Sequence, residues 1–177
     1  MYFDNFPTIP YDAEGNGKFK DVKNLLRRVG IRTKVKVNAM LFDTYDVKNG
    51  ETPESIAFKL YGDSELHWVI MLINDITDRF YDWPLTNSAF EEYVKQKYDN
   101  PGAVHHYEKD QTSGVTNGNR PGDFSHKVEV NSTDADGQSV SNYEYESRIQ
   151  DQKRQIKLLD KAYLNTFVEE FERLVKR

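Results

Sequence analysis

The chain contains no cysteine, which excludes disulfides, thiolate metal sites and cysteine nucleophiles. Long apolar runs are missing too. The longest uninterrupted one, Trp68 to Ile73, is far shorter than the roughly 20 residues that cross a bilayer. The opening Met-Tyr-Phe-Asp-Asn-Phe-Pro has neither a basic n-region nor an apolar h-region, so no secretory signal is expected. There is no glycine-rich phosphate loop, no nucleophile elbow, and no carboxylate pair set apart by an apolar pocket motif. These absences point away from an enzyme and from a membrane protein. The expected setting is a cytoplasm, or a particle assembled in one.

What the chain has in quantity is aromatic surface. Of its 177 residues 13% are aromatic, mostly tyrosine and phenylalanine, although 30% are charged. Tyrosine joins an apolar body to a polar tip and suits surfaces that a partner partly covers. The formal charge of -5 is uneven, because Lys18 to Lys36 holds eight Lys or Arg against Asp21 alone. Such a cluster raises the question of nucleic acid. A plainer reading puts these cations on the wet faces of regular elements, and no nucleic-acid partner is expected.

Residues 1–17 read as an extended arm, since Pro7 and Pro10 disfavour helix and Tyr2, Phe3, Phe6, Ile9 and Tyr11 need a surface to dock on. Phe19, Val22, Leu25, Leu26 and Val29 then fall on one helical stripe that Gly30 would end. Ile31, Thr33, Val35 and Val37 alternate with Arg32, Lys34 and Lys36, the period of a half-buried strand.

The densest signals lie between Tyr45 and Tyr98. A strand ending at Val47 leads into a Gly50 turn, and Thr52 is the natural N-cap of a helix with Pro53 at its first position. Ile56, Ala57, Leu60 and Tyr61 form its inward stripe, and Gly62 closes it. Asp63 or Ser64 caps a second helix that carries Leu66, Val69, Ile70 and Ile73 on one face and Trp68, Met71 and Leu72 on others. A helix apolar nearly all round needs cover on more than one side. Residues 75–85 read as an aromatic turn. Thr86 or Ser88 caps a helix through Phe90, Tyr93, Val94 and Tyr98, which Asn100-Pro-Gly breaks.

Beyond 103 the chain turns polar. Phe124 to Asn131 and Val140 to Glu146 read as strands of a β-hairpin excursion, with turns at Ser113 to Gly122 and Asn131 to Gly137. Gln155 to Leu159 is a strand, and Asp160 caps a helix whose Leu164, Phe167, Val168, Phe171, Leu174 and Val175 make the clearest amphipathic stripe in the chain. The fold class is therefore α+β. Its expected parts are an arm, helix and strand over 1–42, a central βαα unit over 43–98, an excursion over 99–147, and a strand and helix over 148–177.

Metal chemistry finds little support. His105 and His106 are adjacent in a strand, which should send them to opposite faces and prevent joint chelation. Ser132-Thr-Asp134-Ala-Asp136-Gly137 starts like a calcium loop, but Ser132 and Tyr143 occupy the first and twelfth positions. No cofactor or metal is expected.

Tyr45-Asp-Val-Lys-Asn-Gly-Glu-Thr-Pro, Leu60-Tyr-Gly-Asp63 and a second helix ending at Asn74 together resemble a LysM domain, a βααβ fold. That likeness implies binding to N-acetylglucosamine polymers such as peptidoglycan, through Asn49, Gly50, Glu51 and Thr52 with residues around Asp75. The usual second strand after Asn74 is missing, however, and Arg79-Phe-Tyr-Asp-Trp-Pro-Leu85 stands in its place. Pro53-Glu54, Leu66-His-Trp68-Val-Ile, Asn74-Asp75, Tyr81-Asp-Trp83 and the later Arg154-Gln-Ile-Lys-Leu-Leu with Leu164-Asn165-x-Phe167 resemble a narrower family. This is the LysM-like baseplate wedge protein, numbered fifty-three, of T-even-type contractile-tailed phages. The resemblance implies a structural virion protein of the tail baseplate, assembled in the host cytoplasm. It would join neighbouring wedges around the central hub, with other wedge subunits and the hub as partners. Under that reading the expected partner contacts are Trp68, Met71, Leu72, Phe80, Tyr81, Trp83, Phe3 and Phe6.

Overall fold

A computed structural model describes residues 2–32, 35, 40–111 and 126–176. The chain forms two units, Met1–Pro84 with Arg154–Arg177, and Leu85–Lys153.

Asp12 sets the course of the N-terminal segment. Its carboxylate accepts the backbone N–H groups of Glu14, Gly15, Asn16 and Gly17, and Gly15 and Gly17 take the left-handed conformation that this tight loop needs. The loop folds β2 (Lys20–Lys23) back antiparallel onto β1 (Thr8–Tyr11), with Ile9 opposite Val22. The helix expected from Phe19 to Val29 is thus replaced by a strand and irregular chain. Its stripe had the helical period but no core to face, and Phe19, Leu25 and Leu26 are exposed. Ahead of β1, one turn of 3-10 helix covers Tyr2–Asn5, where an extended arm was expected. Of the strand expected over 31–37, Ile31 and Arg32 are irregular and Val35 is helical. Thr33, Lys34, Lys36 and Val37 lie outside the described residues.

β3 (Phe42–Asp46) opens the central part of the same unit. Gly50 turns the chain with a positive φ, and α1 (Pro53–Tyr61) starts at a reciprocal cap. The Thr52 hydroxyl accepts from the Ser55 N–H at 3.2 Å, and the Ser55 hydroxyl accepts from the Thr52 N–H at 3.0 Å. Gly62, left-handed, ends the helix by donating to Phe58 O. Asp63 caps a 3-10 turn, Ser64–Leu66, that runs directly into α2 (His67–Ile73). After Asn74 the expected aromatic turn contains one helical turn of its own, α3 (Arg79–Asp82), capped by Asp78.

The second unit begins with α4 (Asn87–Lys97), capped by Thr86, so the helix expected to close the central unit belongs here. β4 (Val104–Asp110) is the middle of a three-stranded antiparallel sheet, flanked by β5 (Lys127–Val130) and β6 (Gln138–Ser141). The strands on either side of Asp136-Gly137 therefore pair with β4 and not with each other. Phe124 and the Ser113 to Gly122 turn lie outside the described residues. Asn142–Arg154 is helix α5, where a strand was expected to reach Glu146. Its buried residues are Glu146 and Gln150, and an inward face built from polar side chains leaves no apolar stripe to read. Phe90, Val94 and Val140 supply the buried apolar side chains of this unit.

β7 (Gln155–Leu159) then returns to the first unit and pairs antiparallel with β3, Phe42 opposite Leu159 and Asp46 opposite Gln155. A 3-10 turn capped by Asp160 leads into α6 (Leu164–Lys176). The sheet, α1, α2 and α6 enclose a core that includes Val47, Ile56, Val69, Ile70, Ile73, Ile156, Leu159, Phe171 and Val175. The cover that α2 required comes from within the chain: Phe171 and Phe167 of α6 pack on Trp68, and Tyr2 lies against both Trp68 and Phe171.

Candidate partner-binding surface

The residues proposed from sequence as partner contacts separate into two groups. Trp68 is 7% exposed, with its ring centroid 4.5 Å from that of Phe171. Phe6 is buried against Tyr2, and Trp83 is buried with its indole N–H donating to Glu51 O at 2.8 Å. These three side chains are buried in the chain's own interior. Met71 and Leu72 are half-buried, and Leu72 packs against the core.

Phe80 and Tyr81 are different. They are 84% and 76% exposed, yet the backbone beneath them is tightly held. Asp78 accepts the N–H groups of Phe80 and Tyr81, and Asp82 accepts those of Thr77 and Asp78 at 2.9 Å each. On one flank Arg79 pairs with Glu54 at 2.7 Å, and on the other the Trp83 indole is seated on the Gly50 turn. α3 is therefore a fixed knuckle that shows two aromatic rings to solvent. A rigid aromatic loses little conformational entropy when a partner covers it. Phe3 is also mostly exposed, on the N-terminal turn.

The residues that a glycan groove would use have structural work. Glu51 accepts from the Tyr45 hydroxyl at 2.8 Å, the Lys48 N–H at 3.0 Å and the Lys59 ammonium. Burial alone would raise its pKa, but those donors pull it down to about 2. Thr52 is engaged in the cap of α1. Asn74 ends α2 and holds β7: its amide donates to Ile70 O and Lys157 O, and its oxygen accepts the Lys157 N–H, all at 2.8 Å. The next residue, Asp75, is left-handed at φ 57.

In the second unit a β-bulge between Val104 and His106 breaks the strand alternation. His105 and His106 consequently meet, with their Nδ1 atoms 2.9 Å apart, one donating and the other accepting. His105 stacks on Tyr145 at 3.9 Å between centroids. The expectation that the two rings point to opposite faces is overturned by the bulge, which a sequence does not announce. Among the described residues no group of three or more His, Asp or Glu is placed to hold a metal ion. Glu108 lies nearby, buried, with Arg148 and Lys127 each 2.7 Å away; chiefly the Arg148 hydrogen bond brings its pKa to about 2. Glu146 is bonded to Lys97 and the Tyr98 hydroxyl.

Sequence reasoning passed over further exposed apolar side chains, among them Leu26 at 90%, with Phe19 and Leu25. Their signal was the Asp12-x-x-Gly-x-Gly17 turn, which reverses the chain before a helix can start.

The chain matches the family model described as base plate wedge protein 53 over residues 1–174. It is also 26% identical over 187 residues to the baseplate wedge protein gp53 of Enterobacteria phage T4, covering 98% of this chain and 88% of the phage protein.

Proposed function

The chain belongs to the base plate wedge protein 53 family, and from that premise we propose that it is a non-catalytic subunit that joins neighbouring wedges of a contractile tail around the hub. It does so through protein–protein contacts, as part of the virion, after assembly in the host cytoplasm. The observation that carries this reading is the family match along residues 1–174. We further read β3, α1, α2 and β7 as a LysM-like βααβ unit, on the support of their order and the antiparallel β3–β7 pairing. Its second strand arrives after the whole of the Leu85–Lys153 unit, which is why no strand follows Asn74 directly.

Within this role the α3 knuckle is the contact surface, with Phe80 and Tyr81 as anchors and Phe3 as a second aromatic contact. The remaining candidates Met71 and Leu72 are half-buried and serve at its margin. Nothing in the geometry favours a sugar polymer as ligand, given that Glu51 and Thr52 are bonded within the chain.

Co-expression with the other wedge proteins of the same phage, followed by size-exclusion chromatography and cross-linking, tests the proposal. The expected result is a complex that contains this chain. A stable monomer that ignores those proteins at micromolar concentration would end the reading.

A further inference from the structure

The β1–β2 ribbon is a second surface, separate from α3, and its chemistry is independent of the role proposed for that turn. Asn24 N–H donates to Pro7 O at 2.8 Å, which fixes the phase of the ladder. In an antiparallel pair, inward and outward bonding alternate along each strand. The pairs 7/24, 9/22 and 11/20 therefore bond inward, and residues 8, 10, 21 and 23 turn their backbone groups outward. On β1 the outward position 10 is proline, which has no N–H to offer and closes that edge to a further strand. On β2 the outward positions are Asp21 and Lys23. Lys23 O accepts from Leu25 N–H. Among the described residues, the N–H and C=O of Asp21 and the N–H of Lys23 have no protein partner. Among the described residues, one edge of the ribbon is blocked and the other is open.

The chemistry around the open edge is specific. Lys18, Lys20 and Arg28 have no acidic partner among the described residues. Lys23 and Arg27 spend their side chains on the main-chain oxygens of Asp4, Phe6 and Val175, and among the described residues no carboxylate pairs with either. Apolar side chains stand among these cations, with Phe19, Val22, Leu25 and Leu26 all exposed. The segment from Lys18 to Arg28 is cationic, with Asp21 its one carboxylate, and a strand edge set in such a segment among apolar side chains suits an extended polypeptide that alternates acidic and apolar residues. Nucleic acid would use the cations but leave the strand edge and the apolar groups without a role.

We infer that the outer edge of β2 accepts an acidic, extended segment of another protein as a third strand. The full chain is titrated with three probes: a seven-residue peptide alternating glutamate and valine, the same peptide with lysine for glutamate, and a single-stranded oligodeoxynucleotide of similar length. Fluorescence anisotropy reports binding, and residue-resolved hydrogen exchange reports its place. The expected result is binding of the glutamate peptide alone, with exchange at the Asp21 and Lys23 amides slowed at least about tenfold. Compared with the charge-matched Asp21→Asn, Asp21→Pro removes an outward donor without touching the ladder and should weaken binding about fivefold. Lys18→Glu combined with Lys20→Glu leaves the edge intact and should weaken it about tenfold while the melting temperature holds. Equal binding of the lysine peptide, tighter binding of the oligonucleotide, binding without protection at Asp21 and Lys23, or no binding by any probe would each overturn the inference.

Discussion

Asn74 acts as a strand residue without being in a strand. Its amide gives and takes a bond with Lys157 while its second donor closes the α2 helix. Asn74→Ala removes all three bonds and should cost about 1–3 kcal/mol, read as a drop in the denaturant midpoint of the unit that holds β7. Trp68 belongs to the same unit. Trp68→Ala should cost about 3–5 kcal/mol and impair assembly only as far as it unfolds the chain, which separates a core side chain from a contact. Glu51 and Glu108 predict an acid response in each unit. Both carboxyls are held at about 2, below their ordinary value of 4.5. A depressed carboxyl contributes stability that is present in full above the unfolded-state pKa and lost as pH falls through the folded one. Hydrogen exchange should show both units weakening between about pH 4.5 and 2, and Glu108→Gln should reduce that dependence only in the Leu85–Lys153 unit, where Glu146 and Asp134, also held below their usual range by Lys97 and Lys109, keep the remainder. At this scale the sequence was legible where a residue type has one job, as at Thr52 and Gly62. It was illegible where burial is polar, as at Glu146 and Gln150, since a polar letter reads as surface until its partners are known: Lys97 and Tyr98 for Glu146, and the Leu85 N–H for Gln150.

Among the described elements, α3 is the shortest α-helix and shows the most exposed aromatics. Phe80→Ser removes an exposed ring and should change stability by less than about 0.5 kcal/mol, while the wedge complex, measured by size exclusion, loses this subunit. Asp78→Ala should cost about 1 kcal/mol through the lost cap and lower amide protection at Phe80 and Tyr81. Assembly then falls for a different reason, because the rings are present but no longer held. The elements found correctly from sequence, α1, α2, α4, β7 and α6, each combine a cap with an apolar stripe or a clear alternation. Those read wrongly lack one or the other. α5 has a helix without an apolar stripe, and the segment from Phe19 to Val29 has a stripe without a helix, because the Asp12 loop commits Lys20–Lys23 to β1 first.

For the whole molecule, one unit is inserted in the sequence of the other. Every side chain of the main core comes from the part formed by Met1–Pro84 and Arg154–Arg177. Replacing Leu85–Lys153 by a flexible Gly/Ser linker should therefore leave a protein that keeps near-ultraviolet dichroism and melts cooperatively, since closing a shorter loop costs less entropy. The division was hidden in the sequence because its boundaries carry no linker composition. Pro84 is followed at once by the Thr86 cap, and α5 runs without a break up to β7. The pairing of Phe42 with Leu159 also bears on how the protein is made. A ribosome adds about 5–20 residues per second, so β3 leaves the exit tunnel many seconds before β7 exists. Through that interval the nascent chain holds an unpaired strand and the bare apolar face of α2. The half that is translated first is the half that matures last, and a holdase chaperone bound to it during translation should raise the yield of soluble subunit.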